Sequence, residues 1–384
     1  MKTMGRLNLK SDKAKTTLAT AEVRTVKKKS LRKTLTEEPK EENKRIDYLN
    51  TGSVILNLAA SQKGRRGGWA RGRIINPVGD GSSGKTLLTL EAFANAFYTL
   101  KKFGDIPSYA FPKVKKLLMV YDNAEGVMDF PIEEMYGKDF VDAVEWISSP
   151  TCEAGGRNIQ RRIQNLKDGE CLLYAWDSID ATISSAQKER NVQSLKKDKD
   201  EEDAYGTEKA KYFSGGFFNH LCELQQGKDA TIFAISQIRE NIGVKFGDKY
   251  KRTGGKALDF YTHQVPWLRT KKKLSKTFRS QERVYGVRVE ATFKRNKCAK
   301  PYRDAEFCIL FDYGLDNIGS MVDYLFGPEV KIIKWNDENY KREEYIELIE
   351  NDKDEYEALV DAVEKDWNEI EQAIKPERKN RWDD

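Results

Sequence analysis

Apolar residues in this chain gather into short runs separated by stretches with three- and four-residue apolar spacing. Runs of strand length fall at Arg73 to Val78, Lys116 to Tyr121, Ala143 to Ile147, Cys171 to Trp176 and Ala230 to Ile235. Between them the spacing predicts helices over Lys85 to Lys101, Asn158 to Lys167 and Glu208 to Gln225. Strands alternating with helices predict a parallel sheet wrapped by helices, because each crossover must bury its apolar stripe on the sheet. Three later runs, Val265 to Lys271, Val284 to Lys294 and Ala305 to Phe311, follow one another without helices and predict an antiparallel extension of that sheet. The expected fold is therefore α/β, with a mixed, mainly parallel central sheet flanked by helices. Near the end Leu359, Val360, Val363, Trp367, Ile370 and Ile374 recur at helical steps. That stripe serves either a small helical C-terminal region or a contact with a partner.

Charge changes the picture at the two ends. Lys10, Lys13, Lys15, Arg24, Lys27, Lys28, Lys29, Arg32 and Lys33 lie among few apolar residues, the pattern of a mobile basic arm. From Asp337 onward the chain is acidic, and the almost wholly charged stretch 188–203 reads as a solvated loop. No stretch approaches the roughly 18 apolar residues of a membrane span, so a soluble intracellular protein is expected. The five cysteines are odd in number and unpatterned, and with only two histidines they give no zinc ligand set. Free thiols are expected.

The first chemistry-bearing motif is Gly79-Asp80-Gly81-Ser82-Ser83-Gly84-Lys85-Thr86, placed between a strand and a helix. Glycines let successive backbone N–H groups face one anion, the helix adds its positive end, Lys85 reaches β and γ phosphates, and Thr86 offers a hydroxyl to Mg²⁺. Asp177 follows the run Cys171 to Trp176 at the carboxyl end of a strand, where it either holds Mg²⁺ through water or shapes an Asp-Ser turn. Glu125 lies past another strand, positioned either to orient an attacking water or as a plain loop carboxylate.

Residues 235 to 247, Ile-Ser-Gln-Ile-Arg-Glu-Asn-Ile-Gly-Val-Lys-Phe-Gly, continue into Thr253-Gly254-Gly255-Lys256-Ala257-Leu258-Asp259-Phe260-Tyr261. This order resembles the second DNA-binding loop of the bacterial RecA recombinases. The resemblance extends to Thr51-Gly52-Ser53, the 79–86 motif, Asp122-x-Ala124-Glu125-x-x-x-Asp129, Arg295-Asn296-Lys297 and Pro301-x-x-x-Ala305-Glu306-Phe307. It implies a RecA-like P-loop ATPase and DNA-binding core over 46–325, with a basic N-terminal arm, 1–45, and a small acidic helical domain, 326–384, outside it.

The same resemblance implies roles. Glu125 activates water, Asp177 is the carboxylate on the metal side, and Gln237 senses the γ phosphate where the second loop begins. ATP is held by residues 79–86 with Asp129. Arg295 and Lys297, without the resemblance a solvated basic face, become cations that reach a neighbouring subunit's phosphates. DNA contacts fall to Lys211, Ser214, Arg239, Ile242, Gly243, Gly254, Gly255 and Lys256, with Ile242 inserted between bases. Departures from the family pattern are Ile132 in the adenine-stacking place, for which Phe130 or Tyr136 would substitute, and Gly81 in place of a glutamate. The first DNA loop is also longer and more charged. These departures suggest a divergent member of phage or mobile-element origin, working in the (host) cytoplasm.

The implied activity is ATP- and Mg²⁺-dependent polymerisation on single-stranded DNA, followed by homologous pairing with duplex DNA and strand exchange. A single-strand-binding or mediator protein is a further candidate partner. The alternatives are a ring motor of the helicase kind and a DNA-coating scaffold without strand exchange.

Overall fold

The computed structural model describes residues 46–379 apart from 127, 129, 198–206, 241–249 and 253–254. Twelve strands form the central sheet. They are β1 (Ile74–Ile75), β2 (Val78–Gly79), β3 (Lys116–Asn123), β4 (Val144–Ile147), β5 (Glu170–Asp177), β6 (Ala230–Ala234), β7 (Ser236–Glu240), β8 (Tyr250–Arg252), β9 (Gln264–Phe278), β10 (Gln281–Asn296), β11 (Asp304–Leu310) and β12 (Gly314–Asp316). The path runs β8-β7-β2-β9-β1-β6-β5-β3-β4, with β10, β11 and β12 continuing from β9. The pairs from β4 to β9, and β2 with β7, are parallel. The pairs β7–β8, β9–β10, β10–β11 and β11–β12 are antiparallel. The expected mixed sheet with an antiparallel extension is the one observed.

Burial explains which strands were legible. Seven of the eight residues of β5, Cys171 to Asp177, and all five of β6 are buried, as parallel strands covered on both faces must be. One face packs under the helix Lys85–Phe103 with Phe93, Tyr121 and Phe233, and the other packs under Cys152–Gln164 with Trp176, Phe213 and Phe218. The first of these clusters also takes in Leu359, Val360, Val363 and Trp367 of the C-terminal helix Lys353–Ala373. Arg65 ties that helix to the core through Glu357, Asp361 and Glu364.

Three expected elements differ. The helix predicted from Asn158 begins at Cys152, capped by the Thr151 hydroxyl on the Ala154 N–H. A Cβ on Gly155 would lie 2.6 Å from the Trp176 ring, so the glycine lets helix and sheet close. The charged stretch from Lys188 is helical, Ser185–Lys197, with Arg190 paired to Glu208, so the predicted loop is not there up to Lys197. Lys, Glu, Gln and Arg are good helix formers, and their solvation does not oppose a helix. The helix predicted over Glu208 to Gln225 is broken at Gly215 and Gly216 into Thr207–Tyr212 and Phe218–Leu224.

Free thiols are found as expected at Cys152, Cys171, Cys222, Cys298 and Cys308. Among the described residues no group of His, Cys, Asp and Glu forms a metal cluster, and no helix is long and apolar enough to cross a membrane. The basic arm 1–45 lies outside the described residues.

Candidate active site

The carboxyl ends of β2, β3 and β5 converge with the start of β7, and each delivers one part of the site. After β2 the chain turns through Asp80 to Gly84 into the helix Lys85–Phe103. Gly84 has φ +88°, a backbone conformation that demands glycine, and a Cβ there would also displace the Ile309 Cδ1, 2.5 Å away. At Gly81 no atom lies within 4 Å of a built Cβ, which is why that position tolerates the departure noted above. Ser83 Oγ donates to the Asp80 carbonyl at 2.9 Å, and the Lys85 ammonium donates to the same carbonyl. Lys85 is 8 % exposed. Burial pushes its ammonium below the usual lysine value, opposed by the charges of Asp177 and Glu125.

Asp177 ends β5 and turns its carboxylate towards this loop. Its Oδ2 accepts from Thr86 Oγ1 at 2.6 Å and from the buried Tyr121 hydroxyl at 2.5 Å. Burial pushes the Asp177 carboxyl up, and these two donors hold it down. Tyr121 lies well above the usual tyrosine range through burial and the adjoining Asp177 charge, so it is a neutral donor.

Glu125 follows β3 in a turn organised by Asn123, whose Oδ1 accepts from the Glu125 and Gly126 N–H groups at 3.0 and 3.2 Å. Glu125 is exposed, and its Oε1 accepts from Gln237 Nε2 at 2.7 Å. Gln237 lies on β7, and its backbone N–H donates to Asp180 Oδ2 at 2.7 Å. Lysine, hydroxyl–carboxylate pair, exposed carboxylate and amide thus stand together at one sheet edge.

The donor set fits a nucleoside triphosphate with Mg²⁺. Lys85 and the loop N–H groups supply positive charge for phosphate, and the Thr86–Asp177 pair supplies hard oxygens for the ion. Beside them the buried Ser178 Oγ and Asp180 Oδ1 have no hydrogen-bond partner among the described residues, which marks polar capacity at this edge.

Arg295 and Lys297 are not brought to this edge. Arg295 stands opposite Val265, while Gly79 is level with Leu268. Three residues of strand, about 10 Å, separate them along the sheet. The Lys297 ammonium donates to the Phe260 carbonyl at 2.6 Å and lies 5.8 Å from the Phe260 ring. Burial and the Arg295 charge hold that ammonium below its usual value.

Of the residues expected to meet DNA, Lys211 and Ser214 are exposed, and Ser214 Oγ donates to the Ala210 carbonyl at 2.7 Å. Arg239 lies on β7, and Gly255 and Lys256 open the helix Gly255–Tyr261. Ile242, Gly243 and Gly254 lie outside the described residues, as does Asp129. In the adenine-stacking region Ile132 and Phe130 are partly buried against the core. Tyr136 cannot substitute there, because its ring packs on Phe140 at 5.3 Å and its hydroxyl donates to Glu91 at 3.1 Å.

Three contributors escaped the sequence reading. Tyr121 looked like one more apolar strand residue, and only its place across from Asp177 gives the hydroxyl a task. Asp180 was visible as a second carboxylate just past β5. Lys209, two residues before the Lys211 that was singled out, is buried and donates to the carbonyls of Asp180 and Thr182 at 2.9 and 2.8 Å, fixing the turn that carries Asp180.

Comparison with known proteins places these features in company. The family described as RecA N-terminal domain matches residues 17–109 and 181–316. A Protein RecA from Acidothermus cellulolyticus is 30% identical over 289 residues, covering 75% of this chain and 72% of that protein. One from Bacteroides thetaiotaomicron is 31% identical over 289 residues, covering 75% of this chain and 76% of its own length. One from Leifsonia xyli is 30% identical over 289 residues, with 75% and 70% covered.

Proposed function

Because the chain belongs to the RecA family, we propose that it is an ATP-dependent DNA recombinase that assembles on single-stranded DNA and pairs it with homologous duplex in the cytoplasm. The observation that carries this reading is the 2.7 Å hydrogen bond from Gln237 Nε2 to Glu125 Oε1. It joins the carboxylate placed to orient water with the first turn of the strand pair β7–β8, between which residues 241–249 run.

When bound, Mg²⁺ would offset phosphate charge. Lys85 and the loop N–H groups bind and orient the triphosphate, and Thr86 and Asp177 face the ion. Glu125 accepts a proton from, or orients, the attacking water at its free Oε2. A γ phosphate arriving here competes for the Gln237 amide, and any shift of Gln237 is passed directly to β7. Strand grip is thereby tied to nucleotide state, since a ligand shifts an equilibrium only by contacts that differ between its states. Arg295 and Lys297 act on the phosphates of the adjoining protomer, which the register of β9 and β10 supports by keeping them off their own. Base pairing supplies specificity, and the phosphate contacts are sequence-blind.

The test is binding of a labelled single strand, followed by fluorescence anisotropy, with a slowly hydrolysed ATP analogue, with ADP and with neither. Binding should be tightest with the analogue, and Gln237→Ala should erase the difference while nucleotide affinity holds. Equal binding in all three states sinks the reading. Electron microscopy of the analogue complex should show open helical filaments, and closed rings would move the assignment to the motor alternative.

A further inference from the structure

The hairpin β9–β10 is longer than the sheet needs. Its last contact with β2 is Leu268 to Gly79, and β11 accompanies β10 only as far as Gly286. Beyond these, Ser275 pairs with Val284, Lys276 with Arg283, Thr277 with Glu282 and Phe278 with Gln281. These four rungs pair only with each other and project about 13 Å as a two-stranded ribbon. Residues 275–284 are all exposed.

The two faces of the ribbon differ. Lys276, Phe278 and Arg283 share one face by strand alternation. The bulge at Leu274/Ser275 brings Tyr285 to it as well, with the Lys276 ammonium 4.8 Å from the Tyr285 ring centre. Arg279 joins at the turn, 5.2 Å from the Phe278 ring. The opposite face carries Ser275, Thr277 and Glu282, with Ser275 donating to Glu282 at 2.5 Å.

Charge is distributed just as unevenly along the hairpin. At its base Arg269 and Lys271 are paired with Glu290, Lys271 also with Glu306, Lys272 with Glu329 and Arg288 with Asp323. At the tip Lys276, Arg279 and Arg283 have no carboxylate within ion-pair distance among the described residues. Lysines on an exposed strand edge are a common guard against aggregation. A guard has no use for Phe278 at 72 % exposure beside Tyr285 at 36 %, since these rings promote the association the charges prevent.

We propose that the face bearing Lys276, Phe278, Arg283 and Tyr285 binds a single nucleic-acid strand. The cations take backbone phosphates, and a base stacks on Phe278, the combination of charge and aromatic platform that grips single strands without regard to sequence. This proposal rests on the reading that the chain handles DNA. It does not involve the segment after Gln237, and because the ribbon is part of a fixed sheet its contact is independent of bound nucleotide.

The experiment uses the full-length protein without nucleotide, a labelled mixed-sequence single strand, and a series of salt concentrations. Lys276→Gln with Arg283→Gln should lower the slope of log affinity against log salt by about 1.4, two phosphates at about 0.7 each. Phe278→Ala should weaken binding about tenfold and leave the slope unchanged. Nucleotide affinity and thermal stability report that the variants are folded. Wild-type slope and affinity in both variants overturn the proposal, as does a wild-type protein that binds no strand without nucleotide. Altered self-association with unaltered strand binding also overturns it and gives the ribbon to a second copy of the chain. DNA-stimulated ATP hydrolysis is read separately. Its absence in the wild type would remove the recombinase reading while leaving a ribbon effect on strand binding intact.

Discussion

At the carboxyl end of the parallel strands Lys85, Thr86, Asp177, Glu125 and Gln237 meet within one chain, with Lys85 donating to the Asp80 carbonyl, Thr86 to Asp177 and Gln237 to Glu125. At the amino end, Arg295 and Lys297 stand beside His263 and Arg73 with no carboxylate of their own chain within ion-pair distance among the described residues. The first edge is a site assembled in advance. The second is a set of cations that crowd each other, and burial together with the Arg295 charge depresses Lys297. Clustered like charges raise the energy of the isolated chain and are relieved by an anion from outside. The contrast is what the proposed division of the polar chemistry between protomers requires, and the two edges can be tested separately.

The largest effect should come from the amino edge. Arg295→Ala with Lys297→Ala is expected to lower DNA-stimulated ATP turnover about a thousandfold, the lower range for cations supplied across an interface, with nucleotide affinity of the isolated protein unchanged. Mixing this variant with Lys85→Ala protomers, themselves unable to turn over ATP, should restore part of the activity, since each supplies the half the other lacks. Phosphate release measures both. A mixture as inactive as its components would return Arg295 and Lys297 to an ordinary solvated face.

His263 reports on the same edge from within. Burial, then the charges of Arg73, Lys297 and Arg295, pull its pKa down to about 4. Its Nδ1 accepts from the Ile74 N–H at 3.4 Å, a role only the neutral ring can fill. The unfolded chain, with a histidine near 6.5, takes up the proton first as the pH falls. The resulting stability is therefore complete above about pH 6.5 and is lost as the pH drops towards 4, by at most about 3 kcal/mol. Denaturant unfolding across this range should show the loss in the wild type and a flatter limb in His263→Asn. The same limb in both proteins would remove His263 as its cause.

At the carboxyl edge, Glu125→Gln should lower turnover about a hundredfold, the scale of a positioned general base. The amide keeps an oxygen to accept from Gln237, so strand binding with an ATP analogue should be retained. Loss of both together would make Glu125 part of the grip rather than of the chemistry.

How far this division could be read beforehand depended on what each residue buries. Cys171 to Trp176 and Ala230 to Ile235 showed as apolar runs because parallel strands are covered on both sides, and the phosphate loop showed through its residue pattern, in which Gly84 is forced by its positive φ. Gly155 and Gly156 hid a helix start, since the need for glycine comes from Trp176 at the first and from Tyr212 and Phe217 at the second, residues distant in sequence that leave no local trace. The helix Ser185–Lys197 was missed by equating charge with loop. The ribbon beyond Lys271 has no buried face and hence no apolar alternation to detect. The roles of Glu125 and Gln237 came from resemblance, because a contact between residues 112 apart in sequence is not encoded in spacing.

The smallest expected effect isolates a single hydrogen bond at the assembled edge. Tyr121 and Thr86 donate to the same oxygen of Asp177, and only Tyr121 comes from the strand alongside. With Mg²⁺ bound, the Thr86 hydroxyl would be drawn to the ion, and Tyr121 would remain as the donor that keeps the buried carboxylate charged and aimed. A hydrogen bond to a charged group contributes about 1.5–3 kcal/mol, so Tyr121→Phe should raise the Mg²⁺ concentration for half-maximal nucleotide binding about tenfold. Turnover at saturating Mg²⁺ should change little, because the carboxylate is held by the ion once bound. A variant with wild-type Mg²⁺ dependence but lower thermal stability would show that the hydroxyl only fills the core, and the assembled edge would then owe its order to Thr86 alone.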